Sequence, residues 1–231
     1  MNIVISGGTA GIGKETALAL AANKDNKILA TGRNRALLED LEANAVNKNI
    51  LAHNLDLEDF SGYEKPFMKF VSSQFGTVDI LINNAGTLIV GEFLKLKDAD
   101  ARSMMETNFF GPAYLIRSLV PLMKKGSHIV NISSMGGYQG SSKYRGMAFY
   151  SSSKAALACL TECLAEEFSD LGIIVNCLAL GSVDTEMLNK AFPGYKAPVS
   201  AARMGSYIAD FALNGKDLYN GKIIPVAMTN P

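Results

Sequence analysis

Residues Ile3 to Ile5 form a wholly apolar, β-branched run that breaks at once into Ser6-Gly7-Gly8-Thr9-Ala10-Gly11-Ile12-Gly13. Lys14 to Ala22 then carry helical Ala/Leu spacing, so the opening reads as buried strand, glycine turn and helix. Lacking a Cβ, Gly7 can make the tight turn, Gly11 can bring backbone close to a pyrophosphate, and Gly13 lets helix and strand pack closely. The N–H groups at the helix start then face the phosphates, where the helix dipole favours negative charge. A glycine cluster alone is most often a loop. Its place between a buried strand and a helix, at the head of an alternating chain, points to nucleotide binding.

The alternation continues. Lys27 to Thr31, Ile50 to Asn54, Val78 to Ile82, His128 to Ile132, Ile173 to Ala179 and Gly221 to Met228 read as further strands. Helical patterns fill the intervals: Ala36 to Ala45, Phe60 to Phe75, Asp98 to Lys124, a long helix through Tyr150, Asp184 to Ala191 and Val199 to Leu213. Pro225 deletes a ladder donor and places the last strand at an edge. Strands alternating with helices, without repeat or linker, give a parallel sheet covered on both faces in one domain over 1–231.

Charge and cysteine content narrow the classes. Lys plus Arg equals Asp plus Glu at 22 each with no long run of either sign, which argues against nucleic acid or anionic lipid as a partner. Cys159, Cys163 and Cys177 form no CxxC and lie far from His53 and His128 in sequence, so small buried thiols and no metal are expected. Met1 to Ile5 runs straight into glycine with no basic region or apolar span, giving a cytoplasmic location and no membrane as the expectation.

The strand ends hold the chemical candidates. After the second strand stands Thr31-Gly32-Arg33-Asn34, with no acid and with Arg33 twenty positions beyond Gly13. A guanidinium there holds a 2′-phosphate where a carboxylate would hold a 2′-hydroxyl, which favours NADP(H) over NAD(H); the alternative is a solvated charge. Asp56, before Leu57, is placed either to accept from an adenine amino group or to cap the next helix. Asn83-Asn84-Ala85-Gly86 closes the fourth strand with small and amide residues that suit a ligand crevice, or a turn. Asn108 and Gly111-Pro112 interrupt a long helical pattern where propensity is poor, which predicts a kink, a packing contact or a polar group facing a site. Ser133-Ser134 ends the fifth strand, and Tyr150 and Lys154 lie one helical turn apart on one face. A phenol beside an ammonium can both give and take a proton.

Taken together, Gly7-xxx-Gly11-x-Gly13, Asn83-Asn84-Ala85-Gly86, Asn108 with Gly111-Pro112, Ser134 and Tyr150-xxx-Lys154 resemble, in order and over essentially the whole chain, the short-chain dehydrogenase/reductase family. The resemblance implies a doubly wound Rossmann fold with a seven-stranded sheet of order 3-2-1-4-5-6-7, a nicotinamide cofactor and carbonyl/alcohol chemistry. It implies Tyr150 as general acid and base, Ser134 as hydrogen-bond partner of the substrate oxygen, Lys154 on the nicotinamide ribose, and Asn108 holding a water that links Lys154 to solvent. Cofactor contacts are expected from Gly7, Thr9, Gly11, Ile12, Gly13, Arg33, Asn34, Asp56, Leu57, Asn84, Ala85, Gly86, Tyr150, Lys154, Gly181, Val183 and Thr185.

The chain also departs from the family. The 16 positions from Ser134 to Tyr150 exceed the usual gap, and the extra Ser141-Ser142-Lys143-Tyr144-Arg145 lies beside the expected site. Leu180-Gly181 replaces Pro-Gly, Ser6 replaces Thr, and Ala10 stands where many NADP(H) users carry a basic residue. Family members are usually homodimers or homotetramers joined through the helices flanking strands four and five. The expected activity is an NADP(H)-dependent reductase or dehydrogenase of a small carbonyl or alcohol. An NAD(H)-dependent alcohol dehydrogenase is the neighbouring alternative, and a cofactor-binding regulator without turnover is disfavoured by the complete Asn108, Ser134, Tyr150, Lys154 set.

Overall fold

Alternate residues of the first strand, β1 (Asn2–Ser6), serve two different cores, which is why the run is apolar without interruption. Ile3 and Ile5 pack on one face of the sheet with Ala17, Leu20, Met204 and Ile208, whereas Val4 packs on the other with Phe67, Val71, Leu115 and Leu119. The computed structural model describes residues 1–228. Seven parallel strands, β1, β2 (Lys27–Gly32), β3 (Ile50–Asn54), β4 (Ile80–Asn83), β5 (His128–Ser134), β6 (Ile174–Leu180) and β7 (Ile223–Val226), lie in the order 3-2-1-4-5-6-7. This is the expected doubly wound, Rossmann-like sheet. Pro225 sits on the edge strand, as its missing donor requires. The C-terminal part of the expected last strand shortens to Val226, and residues 229–231 lie outside the described chain.

One face carries α1 (Gly11–Ala21), α2 (Arg35–Asn44) and α8 (Ala201–Asn214). The other carries α3 (Phe60–Gln74), the α4 (Asp98–Met105) to α5 (Gly111–Leu119) stretch and α6 (Ala148–Glu167). Strand order reverses at β1, whose Ser6 is in register with Thr31 on one side and Asn83 on the other. A crevice therefore opens beyond the carboxyl ends of β1 and β4.

Several expectations change in detail. The helix expected from Asp98 to Lys124 is divided by a π-helical turn, Glu106–Phe110, and ends in a 3-10 turn, Val120–Leu122. Gly111 follows the π turn because the helix presses on the chain at Leu57: a Cβ there would lie 2.6 Å from the Leu57 carbonyl oxygen. The expected helix from Asp184 begins later as α7 (Glu186–Ala191), capped by Thr185. Val199 belongs to a two-residue ladder with Val183, and Ser200 caps α8. Cys159 and Cys163 are exposed, contrary to the expectation of buried thiols, because the buried stripe of α6 runs through Ser153, Leu157, Thr161 and Ala165. Cys177 alone of the three is buried. Among the described residues no helix is long and apolar enough to cross a membrane, and no three metal-ligating side chains converge.

Candidate active site

Gly7 makes its turn with φ +67°, and Gly13 is held to glycine by contact: a Cβ on it would fall 2.2 Å from the Gly7 carbonyl oxygen and 2.3 Å from Asn84 Nδ2. Asn84 fixes that turn, donating to the carbonyl oxygens of Ser6 at 3.1 Å and Gly7 at 3.0 Å. The Ser6 hydroxyl accepts from the backbone N–H groups of Asn84 and Ala85, both at 3.2 Å, so the hydroxyl retained at this position stitches β1 to β4. Asn83 does not form a turn; it ends β4, buried, and donates to Asn131 Oδ1 at 2.8 Å. The start of α1 has no side-chain cap and no acid in its first turn, which leaves its N–H groups for an outside acceptor.

These N–H groups open on a cavity of about 790 Å³ that continues past β4 to α6. At its far end stands Arg33, 62% exposed, with Nη1 3.9 Å from Glu58 Oε2. The same Glu58 oxygen accepts from the Ser103 hydroxyl at 3.0 Å. Asp56 resolves as a turn residue, its Oδ1 accepting from Glu58 N at 3.0 Å, while Asp59 occupies the cap of α3; Asp56 and Leu57 both line the cavity. Asn34 instead caps α2 by accepting from Leu37 N at 3.2 Å, and it is not among the lining residues. Of the other residues named as cofactor contacts, Thr9, Gly11, Ile12, Ala85, Gly86, Gly181, Val183 and Thr185 all line the cavity.

Ser134, Tyr150 and Lys154 meet in the middle of this cavity because β5 and α6 run side by side. Helix α6 starts at Ala148, so Tyr150 lies in its first turn with Lys154 one turn on. The two serines of β5 divide their work. Ser133 is buried and donates to the Lys154 carbonyl oxygen at 2.8 Å, whereas Ser134 is half-buried, accepts from Gly136 N at 3.1 Å and stands beside the Tyr150 phenol. Burial pushes the Tyr150 phenol above its usual range, and the Ser134 contact works against that rise. Lys154 is 4% exposed and donates to the Ile132 carbonyl oxygen at 2.8 Å. Burial lowers it to about 8, with the neighbouring Cys177 opposing, and burial pushes Cys177 up to about 11.

Asn108 lies in the π turn, fully buried, and does not line the cavity. Its amide donates to Thr87 O at 2.9 Å and to Ser153 Oγ at 3.0 Å, and its Oδ1 accepts from Thr87 N at 2.8 Å. Both amide hydrogens are thereby committed to bracing the segment after β4 against α6. The interruption expected from helix propensity is a π turn that aims Asn108 inward.

The preceding residue, Thr107, was not singled out by sequence. It is 7% exposed, lines the cavity, and its hydroxyl has no hydrogen-bond partner among the described residues. An orphaned buried hydroxyl in the same cavity as an uncapped helix start fits a bound dinucleotide that supplies the missing partner. Its signal in the sequence was only the poor helix propensity of the residues that follow.

Comparison with known proteins agrees with this geometry. A family model described as short chain dehydrogenase matches residues 1–196. The chain is 32% identical over 206 residues to Dehydrogenase/reductase SDR family member 6 of Aquarana catesbeiana, covering 87% of this chain and 78% of that protein. It is 30% identical over 192 residues to the 3-oxoacyl-acyl-carrier-protein reductase of Staphylococcus epidermidis strain ATCC 35984, covering 80% and 76%. A short chain dehydrogenase from Burkholderia cenocepacia, solved in complex with NADP, superposes with a TM-score of 0.84 at 24% identity over 97% of this chain and 95% of that one. A glycine turn, an uncapped helix and a Ser134–Tyr150–Lys154 cluster in one cavity, together with a family match across most of its length, make this chain a member of the short-chain dehydrogenase/reductase family of oxidoreductases.

Proposed function

We propose that the chain transfers hydride between NADP(H) and a small carbonyl or secondary alcohol, with Tyr150 as general acid and base. The observation that carries this reading is the single cavity joining the uncapped start of α1 and Arg33 to Ser134, Tyr150 and Lys154. The nicotinamide, when bound, supplies or accepts the hydride. In the reductive direction Tyr150 gives its phenolic proton to the carbonyl oxygen, and in reverse it takes the proton from the alcohol. Ser134 hydrogen-bonds the same oxygen and strengthens its hold as negative charge develops there. Lys154, as a cation, holds the ribose hydroxyls on the nicotinamide side and lowers the cost of the phenolate. Asn108 acts as a positioning residue through Thr87 and Ser153.

Arg33 supports NADP(H), since it is the cation at the end of β2 where a 2′-phosphate would lie. The NADP complex of the Burkholderia protein, alike in fold, is consistent with that choice. A specific observation also favours a second reading: Glu58 shares the charge of Arg33, which weakens phosphate selection and leaves NAD(H) usable. Assembly as a homodimer or homotetramer through α4, α5 and α6, and a cytoplasmic location, belong to the same proposal. The test is the affinity of the purified protein for NADPH and NADH in parallel at fixed salt, with Arg33→Ala alongside. Tighter NADPH binding that the variant erases supports the reading; equal binding of both by the wild type moves the assignment to NAD(H).

A further inference from the structure

We infer that the substrate of this site is an uncharged, lipophilic ketone or aldehyde, held by apolar burial and not by an ion pair. The inference rests on the carbonyl chemistry proposed above and concerns the part of the cavity beyond Ser134 and Tyr150. There the wall is built from Leu88, Met147, Met187, Leu188, Phe192 and Tyr195. Met147 is 8% exposed and lies between the lengthened loop and Tyr150. The phenol of Tyr195 is paired with the Ser182 hydroxyl at 2.9 Å, so its polar end is satisfied within the chain and its ring remains for the cavity. Methionines are unbranched and polarisable, which lets such a wall fit more than one carbon skeleton.

Apart from Glu186 and Lys190, charge is placed away from this wall. Lys143 and Arg145, the two cations of the lengthened loop, do not line the cavity; the Lys143 ammonium donates to the Tyr138 carbonyl oxygen and to Ser141 Oγ, each at 2.7 Å. Tyr144, the next residue, is the one that reaches the cavity. Arg33 and Asp56 lie at the opposite end, and Lys154 is buried against Ile132. Glu186 and Lys190 of α7 reach the lining, but both are solvent-exposed, of opposite sign and one helical turn apart, so they offer no net charge. A carboxylate or phosphate set against this wall loses part of its hydration and meets only the solvent-exposed Lys190, one turn from Glu186, as a cation. Each methylene set there leaves water for an apolar surface.

The experiment is a set of initial rates with NADPH-loaded protein on methyl ketones from 2-butanone to 2-decanone, each matched to the oxo acid in which the terminal methyl is replaced by carboxylate. The expected result is a kcat/KM that rises roughly threefold per methylene through the first members, with each oxo acid at least about tenfold below its neutral match. In Met187→Lys, a substitution at a position 43% exposed, the gap between oxo acid and ketone should narrow by about fivefold. Oxo acids turned over as well as the ketones, a flat chain-length series, an unchanged gap in Met187→Lys, or no ketone consumed by protein shown to bind NADPH would each overturn the inference. A fluorescence titration run beside the rates separates the two failures. Absence of NADPH binding would overturn the proposed function as well as the substrate class.

Discussion

The Lys154 ammonium, carried by α6, donates to the carbonyl oxygen of Ile132 on β5 at 2.8 Å, two residues before Ser134. This contact holds a buried cation at the carboxyl end of the sheet, and burial brings it down to about 8. In the free protein Lys154 is therefore charged below that pH and loses its charge above it. The kcat/KM for NADPH should fall as pH rises through about 8, and Lys154→Met should bind NADPH weakly at every pH. The pH profile of kcat/KM is the measurement; an alkaline limb that starts only near the ordinary lysine range, about 10, would contradict the assignment.

Thr107→Val removes a buried hydroxyl without changing shape. The expected signature is a split: NADPH affinity falls by about fivefold, from loss of one hydrogen bond, while the apoprotein is unchanged or up to about 1 kcal/mol more stable because an unpaired polar group has gone. Titration of cofactor fluorescence and urea unfolding of the apoprotein measure the two halves. A hydroxyl with a purely structural role would give the reverse, with lower stability and unchanged affinity.

Glu58→Gln frees Arg33 from its carboxylate neighbour. Because the pair is largely solvent-exposed, the gain in NADPH affinity should be modest, about two- to fivefold, with no change for NADH. The gain should shrink as salt is raised. An equal change for both cofactors would place Glu58 outside the 2′-phosphate subsite.

His128 sets an acid limit on stability. It is fully buried, its Nδ1 3.0 Å from the Ala212 carbonyl oxygen and its Nε2 3.1 Å from Asn176 Nδ2, so the neutral tautomer donates at Nδ1 and accepts at Nε2. Burial lowers it from 6.5 to about 4. The unfolded chain then binds more protons between those values, so stability is full above about 6.5 and is lost as pH falls toward 4. From this residue alone urea unfolding should give about 2 kcal/mol less stability at pH 5 than at pH 7. A flat profile over that interval would mean that His128 is not neutral in the fold.

Much of this was legible in the sequence because the constraints are local. The β-branched run before Gly7, the glycine forced at Gly13 and the one-turn spacing of Tyr150 and Lys154 act over a few residues, and each took its expected place. What the sequence hid depends on tertiary contact. Whether Cys159 and Cys163 are buried turns on which side of α6 meets β5 and β6, and helical spacing with small residues all round does not choose between sides. The π turn that aims Asn108 inward and leaves the Thr107 hydroxyl on the cavity follows from the approach of the helix to Leu57, a contact between segments far apart in the chain. Asn34 and Asp56 were read from their positions after strands, yet one caps α2 and the other closes a turn beside the cavity.

The central claim is that Tyr150 moves the proton that accompanies hydride transfer, and Tyr150→Phe tests it most directly. The measurement is the single-turnover oxidation of NADPH by wild-type protein and variant with a carbonyl that the wild type reduces, at cofactor concentrations shown by titration to saturate both. The account predicts that the variant binds NADPH as the wild type does and loses at least about 100-fold in rate. A variant that keeps most of the wild-type rate would contradict it.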